Sequence, residues 1–161
     1  MIDLLTLVLL WVSSLGSGLI AGLYFAFSAF SMKALGRIEP GAGISAMNSI
    51  NAVILQSTFI PIFFGTTLAS LVLAGISVFR WGEPGAPAML AGGVLYVVGM
   101  FVVTMVFNVP LNNALAAADP ARPEGRDVWS RYLRDWTRWN TVRTVASIAA
   151  SACFIWAIAA R

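Results

Sequence analysis

The sequence contains no histidine and a single cysteine, Cys153, and these shortages exclude most metal chemistry. Haem, copper, zinc and di-iron sites use imidazole, thiolate or clustered carboxylate ligands, and the chain has no Glu-x-x-His or Cys-x-x-Cys pair. One cysteine cannot form a disulfide within the chain, so the redox compartment stays undetermined. We therefore expect a protein that works without a metal.

Charged residues are also scarce. Only 11% of the 161 residues are charged, 59% are hydrophobic and the mean hydropathy is +0.84, well above the range of soluble domains. The net charge of +3 does not require a nucleic-acid partner, because a basic bias on one side of a membrane gives the same excess. No linker or charged tail divides the chain, so we expect a single domain over residues 1–161, surrounded by membrane lipid.

Apolar segments long enough to cross a bilayer dominate the sequence. A hydrocarbon core of about 30 Å needs about 20 helical residues, and the segments lack the alternation that a membrane barrel requires. Helices are therefore the only spanning structure left, and short loops make successive helices antiparallel. We predict an all-α, integral membrane four-helix bundle of up-down-up-down topology. Its predicted spans cover residues 4–30, 52–79, 89–111 and 140–160.

Basic residues are unevenly distributed over the connecting loops. The first and third loops carry most of them, whereas the opposite side carries only Arg80 and Arg161. The positive-inside rule then predicts a multi-pass cell-membrane protein with loops one and three in the cytoplasm and both termini outside. The basic residues of these two loops are Lys33, Arg37, Arg122, Arg126, Arg131, Arg134 and Arg138.

Small residues recur every four positions in two of the spans. Ser14, Gly18 and Gly22 do so in the first span, and Ser147 and Ser151 do so in the fourth. This pattern lets helix backbones approach closely. It fits either packing within one chain or a contact between two copies, so the oligomeric state stays open.

Polar residues of the spans collect near the ends predicted to be cytoplasmic. Asn108, Pro110 and Asn112 close the third span, while Asn48 and Asn51 precede the second. An amide in hydrocarbon needs a partner on a neighbouring helix or a cavity. Because these ends meet at one mouth of an up-down bundle, we expect the polar groups to converge there.

An aromatic stripe leads into the fourth span. Its residues share one helical face, which either points into the bundle or lies on the membrane surface. The stripe consists of Trp129, Tyr132, Trp136, Asn140 and Arg143.

Arg143 lies one turn inside a span that contains no acidic residue. Its side chain either extends to the lipid headgroups or points into the bundle as a fixed positive charge for an anionic ligand. Glu39, Asp127 and Asp135 in the loops remain candidate partners.

Several of these segments resemble the anthrone oxygenase-like family of small four-span membrane proteins, and the resemblance covers nearly the whole chain. Fungal members oxidise anthrones to anthraquinones, apparently without a metal or flavin. The resemblance implies a site at Asn108, Asn112, Trp136, Asn140 and Arg143. The segments are Asn108-Val109-Pro110-Leu111-Asn112, Trp136-x-x-Trp139-Asn140-x-x-Arg143, Phe27-Ser28-Ala29-Phe30 and Phe64-Gly65-Thr66.

The chemistry of these side chains is compatible with that site. Arg143, with amide donors from Asn108 or Asn140, could stabilise an anthrone anion, so we take these three as candidate catalytic residues. Trp136 and Trp139 could stack on a flat polycycle. Together with Asn112 and Asn51 they are the candidate substrate-binding residues.

Two functions follow from these predictions. The first is a membrane-embedded, cofactor-independent oxygenase that acts on a hydrophobic polycyclic phenol of anthrone type. Its weakest step is proton removal, which falls to Asp127, Asp135, Glu39 or water. The second is a non-catalytic membrane protein that binds a lipid or quinone, or a structural subunit of a membrane assembly. A channel or transporter is disfavoured, because the sequence shows no acidic relay or ring of charge.

Overall fold

The computed structural model describes residues 2–160, which contain five helices and no strand. Arg161, one of the predicted outer charges, lies outside the described residues. The helices are α1 (Ile2–Ala26, continuing through Phe27–Ser31 and Met32–Leu35), α2 (Pro40–Ile54), α3 (Phe59–Phe79), α4 (Ala86–Val94, Leu95–Val102, Thr104–Asn108 and Val109–Ala116) and α5 (Pro123–Ala159).

Four of the helices, α1, α3, α4 and α5, are long and apolar enough to cross a membrane. Both α1 and α4 pack against α3 and α5, so the four helices form a closed ring. Large apolar side chains cover the outside of the ring, where Leu15 is 67% exposed and Phe79 is 92% exposed. Such a surface is stable against lipid tails, while helices satisfy every backbone polar group internally. The predicted all-α membrane four-helix bundle is confirmed.

The second apolar segment, residues 52–79, contains parts of two helices. α2 ends at Ile54, and after a short turn α3 begins at Phe59. The Ser57 hydroxyl stabilises this turn, because it donates to the Ile54 carbonyl at 2.8 Å and accepts from the Phe59 N–H at 3.2 Å. Pro61 then lies in the first turn of α3, where a missing backbone N–H costs little.

The third and fourth spans extend further than the apolar segments indicate. α4 continues past Pro110 to Ala116, and α5 already begins at Pro123. We call the end of the molecule where these extensions lie the arginine-rich end. There, parts of α1, α2, α4 and α5 enclose a second apolar cluster. Its buried members are Met32, Ile44, Met47, Leu115, Trp129, Tyr132 and Trp136.

Small residues bring α1 and α5 into direct contact. The Ser151 hydroxyl donates to the Ser14 carbonyl at 3.0 Å, and a Cβ on Gly18 would lie 3.5 Å from the same hydroxyl. These positions of the small-residue pattern therefore serve packing within the chain.

We expect Gly93→Ala to destabilise the bundle by about 1–3 kcal/mol, the usual effect of overpacking. A Cβ at this position of α4 would lie 2.7 Å from the Ser70 carbonyl oxygen and 2.7 Å from Ala74 Cβ, both on α3. Gly75→Ala is the matched control, because a Cβ there meets nothing within 4 Å. Thermal unfolding followed by circular dichroism should show a lower midpoint for Gly93→Ala alone; equal midpoints would contradict the close approach.

Candidate functional site

Two helices, α1 and α4, depart from α-helical geometry. α1 contains a π-helical turn at Phe27–Ser31, and α4 contains π-helical segments at Leu95–Val102 and Thr104–Asn108. A π turn changes the direction of the side chains that follow it and is frequent at functional sites. Here Thr104–Asn108 supplies a hydrogen-bond acceptor to Arg143 and a donor to the Trp136 carbonyl.

Arg143 points into the bundle and is only 4% exposed. Its Nη2 donates to Asn140 Oδ1 at 2.7 Å, and its Nη1 donates to Thr104 Oγ1 at 3.2 Å. The guanidinium carbon lies 4.0 Å from the ring centroid of Tyr24 and 5.2 Å from that of Trp136. These contacts hold the guanidinium in one orientation, while Nε has no hydrogen-bond partner among residues 2–160.

The charge of Arg143 has no counterion in the described part of the chain. The ion pairs found there involve Arg80, Arg122 and Arg134, all of them at least partly exposed. Cation–π contacts and neutral hydrogen bonds stabilise the guanidinium in part, but removing a cation from water costs several kcal/mol. The site therefore favours an anion next to Arg143.

None of the three acidic loop residues that were candidate partners of Arg143 lies next to it. Glu39 caps α2 by accepting from the Ala42 N–H at 2.9 Å, and backbone N–H groups lower the pKa of its carboxyl. Asp135 pairs with Arg134 at 2.8 Å, and Asp127 is exposed. We therefore assign proton removal to none of these three.

Asn140 and Asn108 hold the helices around Arg143. The Asn140 amide donates to the Tyr24 carbonyl and to the Ser28 hydroxyl, both at 2.7 Å, which ties the π turn of α1 to α5. Asn108 donates to the Trp136 carbonyl at 3.2 Å. Neither asparagine lines the pocket beside Arg143, so their contacts give them positioning roles.

This pocket has a volume of about 160 Å³ and walls that are mostly apolar and aromatic. It brings together four of the predicted site residues from three helices. Its polar lining consists of Tyr24, Asn51, Thr104, Asn112, Trp136 and Arg143.

Two donor groups of residues that line the pocket, Arg143 Nε and Trp136 Nε1, have no hydrogen-bond partner within residues 2–160. The Asn51 amide lies beside the hydroxyl of Tyr132, which itself donates to Asn112 Oδ1 at 2.8 Å. Because an unpaired buried donor costs about 1–3 kcal/mol, the pocket favours a ligand that carries oxygen acceptors.

The pocket opens on the side of the bundle, between the start of α3 and the middle of α4. Leu55, Phe64 and Met105 line it there and are 68%, 49% and 38% exposed. Large apolar side chains on the outside of a membrane bundle face lipid. The opening is therefore suited to a ligand that arrives from the bilayer.

Trp139 lies away from the pocket. Its ring stacks on Phe107 with centroids 3.6 Å apart, and Arg138 lies 5.8 Å from it. Tyr24, in contrast, lines the pocket but was not among the predicted residues. In the sequence, only its position points to Tyr24, since it lies about one helical turn before the Phe27–Phe30 segment.

The family model described as anthrone oxygenase matches residues 51–153 of the chain. The matched stretch begins at Asn51, contains α3 and α4, and extends past Arg143 in α5. No curated protein and no solved structure matches the chain. Because the family match covers more than half of the sequence, the chain belongs to the anthrone oxygenase family.

Proposed function

We propose that the protein is a membrane-embedded, cofactor-independent oxygenase that acts on a hydrophobic polycyclic phenol of anthrone type. The observation that carries the proposal is the buried Arg143, which lacks a counterion among the described residues and lines an apolar pocket. Membership of the anthrone oxygenase family supports the general kind of reaction.

The proposed reaction converts a methylene carbon between two aromatic rings into a carbonyl. The substrate loses a proton and becomes an oxyanion whose charge is delocalised onto that carbon. The anion gives one electron to O₂, and recombination of the two radicals forms a carbon–peroxide bond. Cleavage of the O–O bond leaves one oxygen atom as the carbonyl, and the other departs as water with the two methylene hydrogens.

Arg143 stabilises the oxyanion in this scheme. Donors that are fixed before the reaction, in a site with little water, stabilise developing charge without reorganisation, and one such donor accelerates a reaction about 10²–10³-fold. Asn140 and Thr104 keep the guanidinium oriented through their bonds to Nη2 and Nη1. No carboxylate lines the pocket among the described residues, so of the proton acceptors considered above water is the one that remains.

The size of the pocket sets how such a substrate fits. A volume of about 160 Å³ is close to that of cavities that hold a single benzene ring. A polycyclic substrate therefore places the ring that bears the oxyanion beside Arg143. Its remaining rings extend through the opening lined by Leu55, Phe64 and Met105.

The direct test is oxygen consumption by the purified protein with emodin anthrone, corrected for spontaneous autoxidation. We expect uptake well above the background, with one O₂ consumed per anthraquinone formed. Uptake equal to the background with a substrate that binds in the pocket would contradict the oxygenase proposal.

A bulky group at the lateral opening is expected to suppress this uptake. In a Cys153→Ser background, Leu55→Cys modified with a large thiol reagent should lose most of its activity, because the label fills the opening. Leu68→Cys is the control, since Leu68 is also exposed but does not line the pocket. Equal rates for labelled and unlabelled Leu55→Cys would exclude entry by this route.

A second candidate function is binding of a quinone without catalysis. It is favoured by the lining of the pocket, in which Tyr24 is the one ionisable side chain besides Arg143 among the described residues. In that case the protein would bind a quinone or a phenol with the Arg143 site and consume no oxygen.

A further inference from the structure

Tyr24 contributes the one phenol to the pocket lining among the described residues. A phenol can both release and accept a proton, whereas the guanidinium of Arg143 keeps its protons and amide groups serve only as hydrogen-bond partners. The other hydroxyl on the lining belongs to Thr104, and it already donates to the Met100 carbonyl at 2.7 Å. Proton transfer within the pocket is therefore best served by Tyr24.

The Tyr24 hydroxyl is only weakly held. It donates to Met100 Sδ at 3.9 Å, and a thioether sulfur is a weak acceptor. The Thr104 hydroxyl lies at the same distance from this sulfur, and it accepts from Arg143 Nη1 at 3.2 Å. The phenol therefore reaches the side chains that hold the guanidinium, with a proton that an oxygen atom of a ligand can attract.

The position of Tyr24 suits charge development on its oxygen. The guanidinium carbon of Arg143 lies 4.0 Å from the centroid of the Tyr24 ring, and this cation has no counterion within residues 2–160. The backbone of Tyr24 is fixed as well, because its carbonyl accepts from the Asn140 amide at 2.7 Å. Negative charge that forms on the phenol oxygen is thus stabilised without reorganisation of the site.

We propose that Tyr24 is the catalytic residue that converts the peroxide into the carbonyl and water. The proposal rests on the proposed function, in which O₂ forms a carbon–peroxide bond, and the peroxide takes a proton from water before this step. The Tyr24 oxygen accepts the remaining hydrogen of the peroxide-bearing carbon as a proton, while the Tyr24 hydroxyl gives its own proton to the outer peroxide oxygen. The C–H electron pair becomes the second C–O bond, the O–O bond breaks, and the outer oxygen leaves as water.

This exchange begins and ends with a neutral phenol. The two protons move around a closed ring formed by the C–H group, the two peroxide oxygens and the Tyr24 O–H. No net charge is left in an apolar pocket, where an isolated charge is costly. The compounds that this step consumes are secondary hydroperoxides on a carbon that adjoins aromatic rings, and the products are the ketones.

Dehydration of a ready-made hydroperoxide under argon tests Tyr24 apart from oxygen activation. Fluorenyl hydroperoxide is suitable, because its peroxide lies on a carbon between two aromatic rings. It is mixed with an excess of the protein in lipid nanodiscs and a metal chelator, and the fluorenone formed is measured by chromatography. We expect the wild type to form fluorenone about a hundredfold faster than Tyr24→Phe or empty nanodiscs, the usual contribution of a general acid and base.

Tyr96→Phe is the matched control for this variant. Tyr96 is also a fully buried phenol, on α4, and its hydroxyl has no hydrogen-bond partner within residues 2–160. It does not line the pocket, so its variant should keep the wild-type rate. Tyr24→Phe retains the ring on which Arg143 stacks, and its unchanged affinity for fluorenone shows that the pocket remains folded.

A second measurement uses only the wild type. Deuterium on the peroxide-bearing carbon should slow the formation of fluorenone, because Tyr24 removes that hydrogen as the O–O bond breaks. A wild-type rate equal to that of empty nanodiscs, an unchanged rate in Tyr24→Phe, or no effect of deuterium would overturn the assignment.

The outcomes separate this assignment from the oxygenase proposal. Dehydration that depends on Tyr24, without oxygen uptake from emodin anthrone, would support the role of Tyr24 and contradict the oxygenase. Oxygen uptake by a protein that does not dehydrate the hydroperoxide would support the oxygenase and overturn the role of Tyr24.

Discussion

Replacing Arg143 with methionine is expected to reduce oxygen uptake with emodin anthrone at least about a hundredfold, since the variant removes the fixed donor for the oxyanion. Arg138→Met is the matched control, because Arg138 lies on the same helix but is exposed and does not line the pocket. It should keep the wild-type rate. Unchanged uptake in Arg143→Met would contradict the assignment of the site.

The Arg143→Met variant should still fold. Exchanging a buried charge for an apolar side chain of similar length removes its desolvation cost. Thr104 keeps its hydrogen bond to the Met100 carbonyl at 2.7 Å, so the amide oxygen of Asn140 is the main group left without a partner. We expect a loss of about 1–3 kcal/mol, and circular dichroism before and after heating measures it.

Asn140→Asp should supply the counterion that Arg143 lacks among the described residues and thereby block the site. The new carboxylate would take the place of the amide oxygen that lies 2.7 Å from Arg143 Nη2. A charge pair at this distance, partly shielded from water, is worth several kcal/mol. We expect the affinity for an anionic naphtholate to fall more than tenfold, with little change for a neutral ring of the same size.

The control for this variant is Asn108→Asp. Asn108 is equally buried, but it bonds to the Trp136 carbonyl rather than to Arg143. Asn140→Asp also loses two donor contacts to α1, each worth about 1 kcal/mol, and this loss offsets part of the stability that the charge pair adds. Equal losses of anion affinity in the two variants would indicate a general effect of buried charge and contradict specific neutralisation of Arg143.

Helical periodicity anticipated much of the site, but it could not choose between neighbouring positions. The stripe on α5 was expected either inside the bundle or on the membrane surface, and all of its members are buried. Trp136 and Trp139 were both predicted to contact substrate from their motif. Trp136 lines the pocket, whereas Trp139 meets Phe107 of α4, because the rotation of α5 against its neighbours decides which tryptophan faces inward.

The sequence also did not reveal two residues that contact Arg143, Thr104 and Tyr24. No local signal distinguishes Thr104–Asn108 from an ordinary apolar helix, yet this segment supplies the acceptor for Arg143. Tyr24 became part of the site because the guanidinium stacks on its ring and Asn140 bonds to its carbonyl. Such contacts join residues far apart in the chain, and their geometry depends on packing.

The sequence by itself determined that the protein is an all-α bundle with four spans. Hydrocarbon accepts only segments that satisfy their own backbone polar groups, whatever their neighbours are. The absence of histidine likewise excluded imidazole ligation by this chain, because no arrangement of the helices can supply a side chain that the sequence lacks. The tertiary structure alone decided that Arg143 is buried without a counterion among the described residues, and that Arg143 Nε and Trp136 Nε1 have no hydrogen-bond partner there. Whether a polar group finds a partner depends on the side chains that other helices bring to it, and only the packed bundle fixes that arrangement.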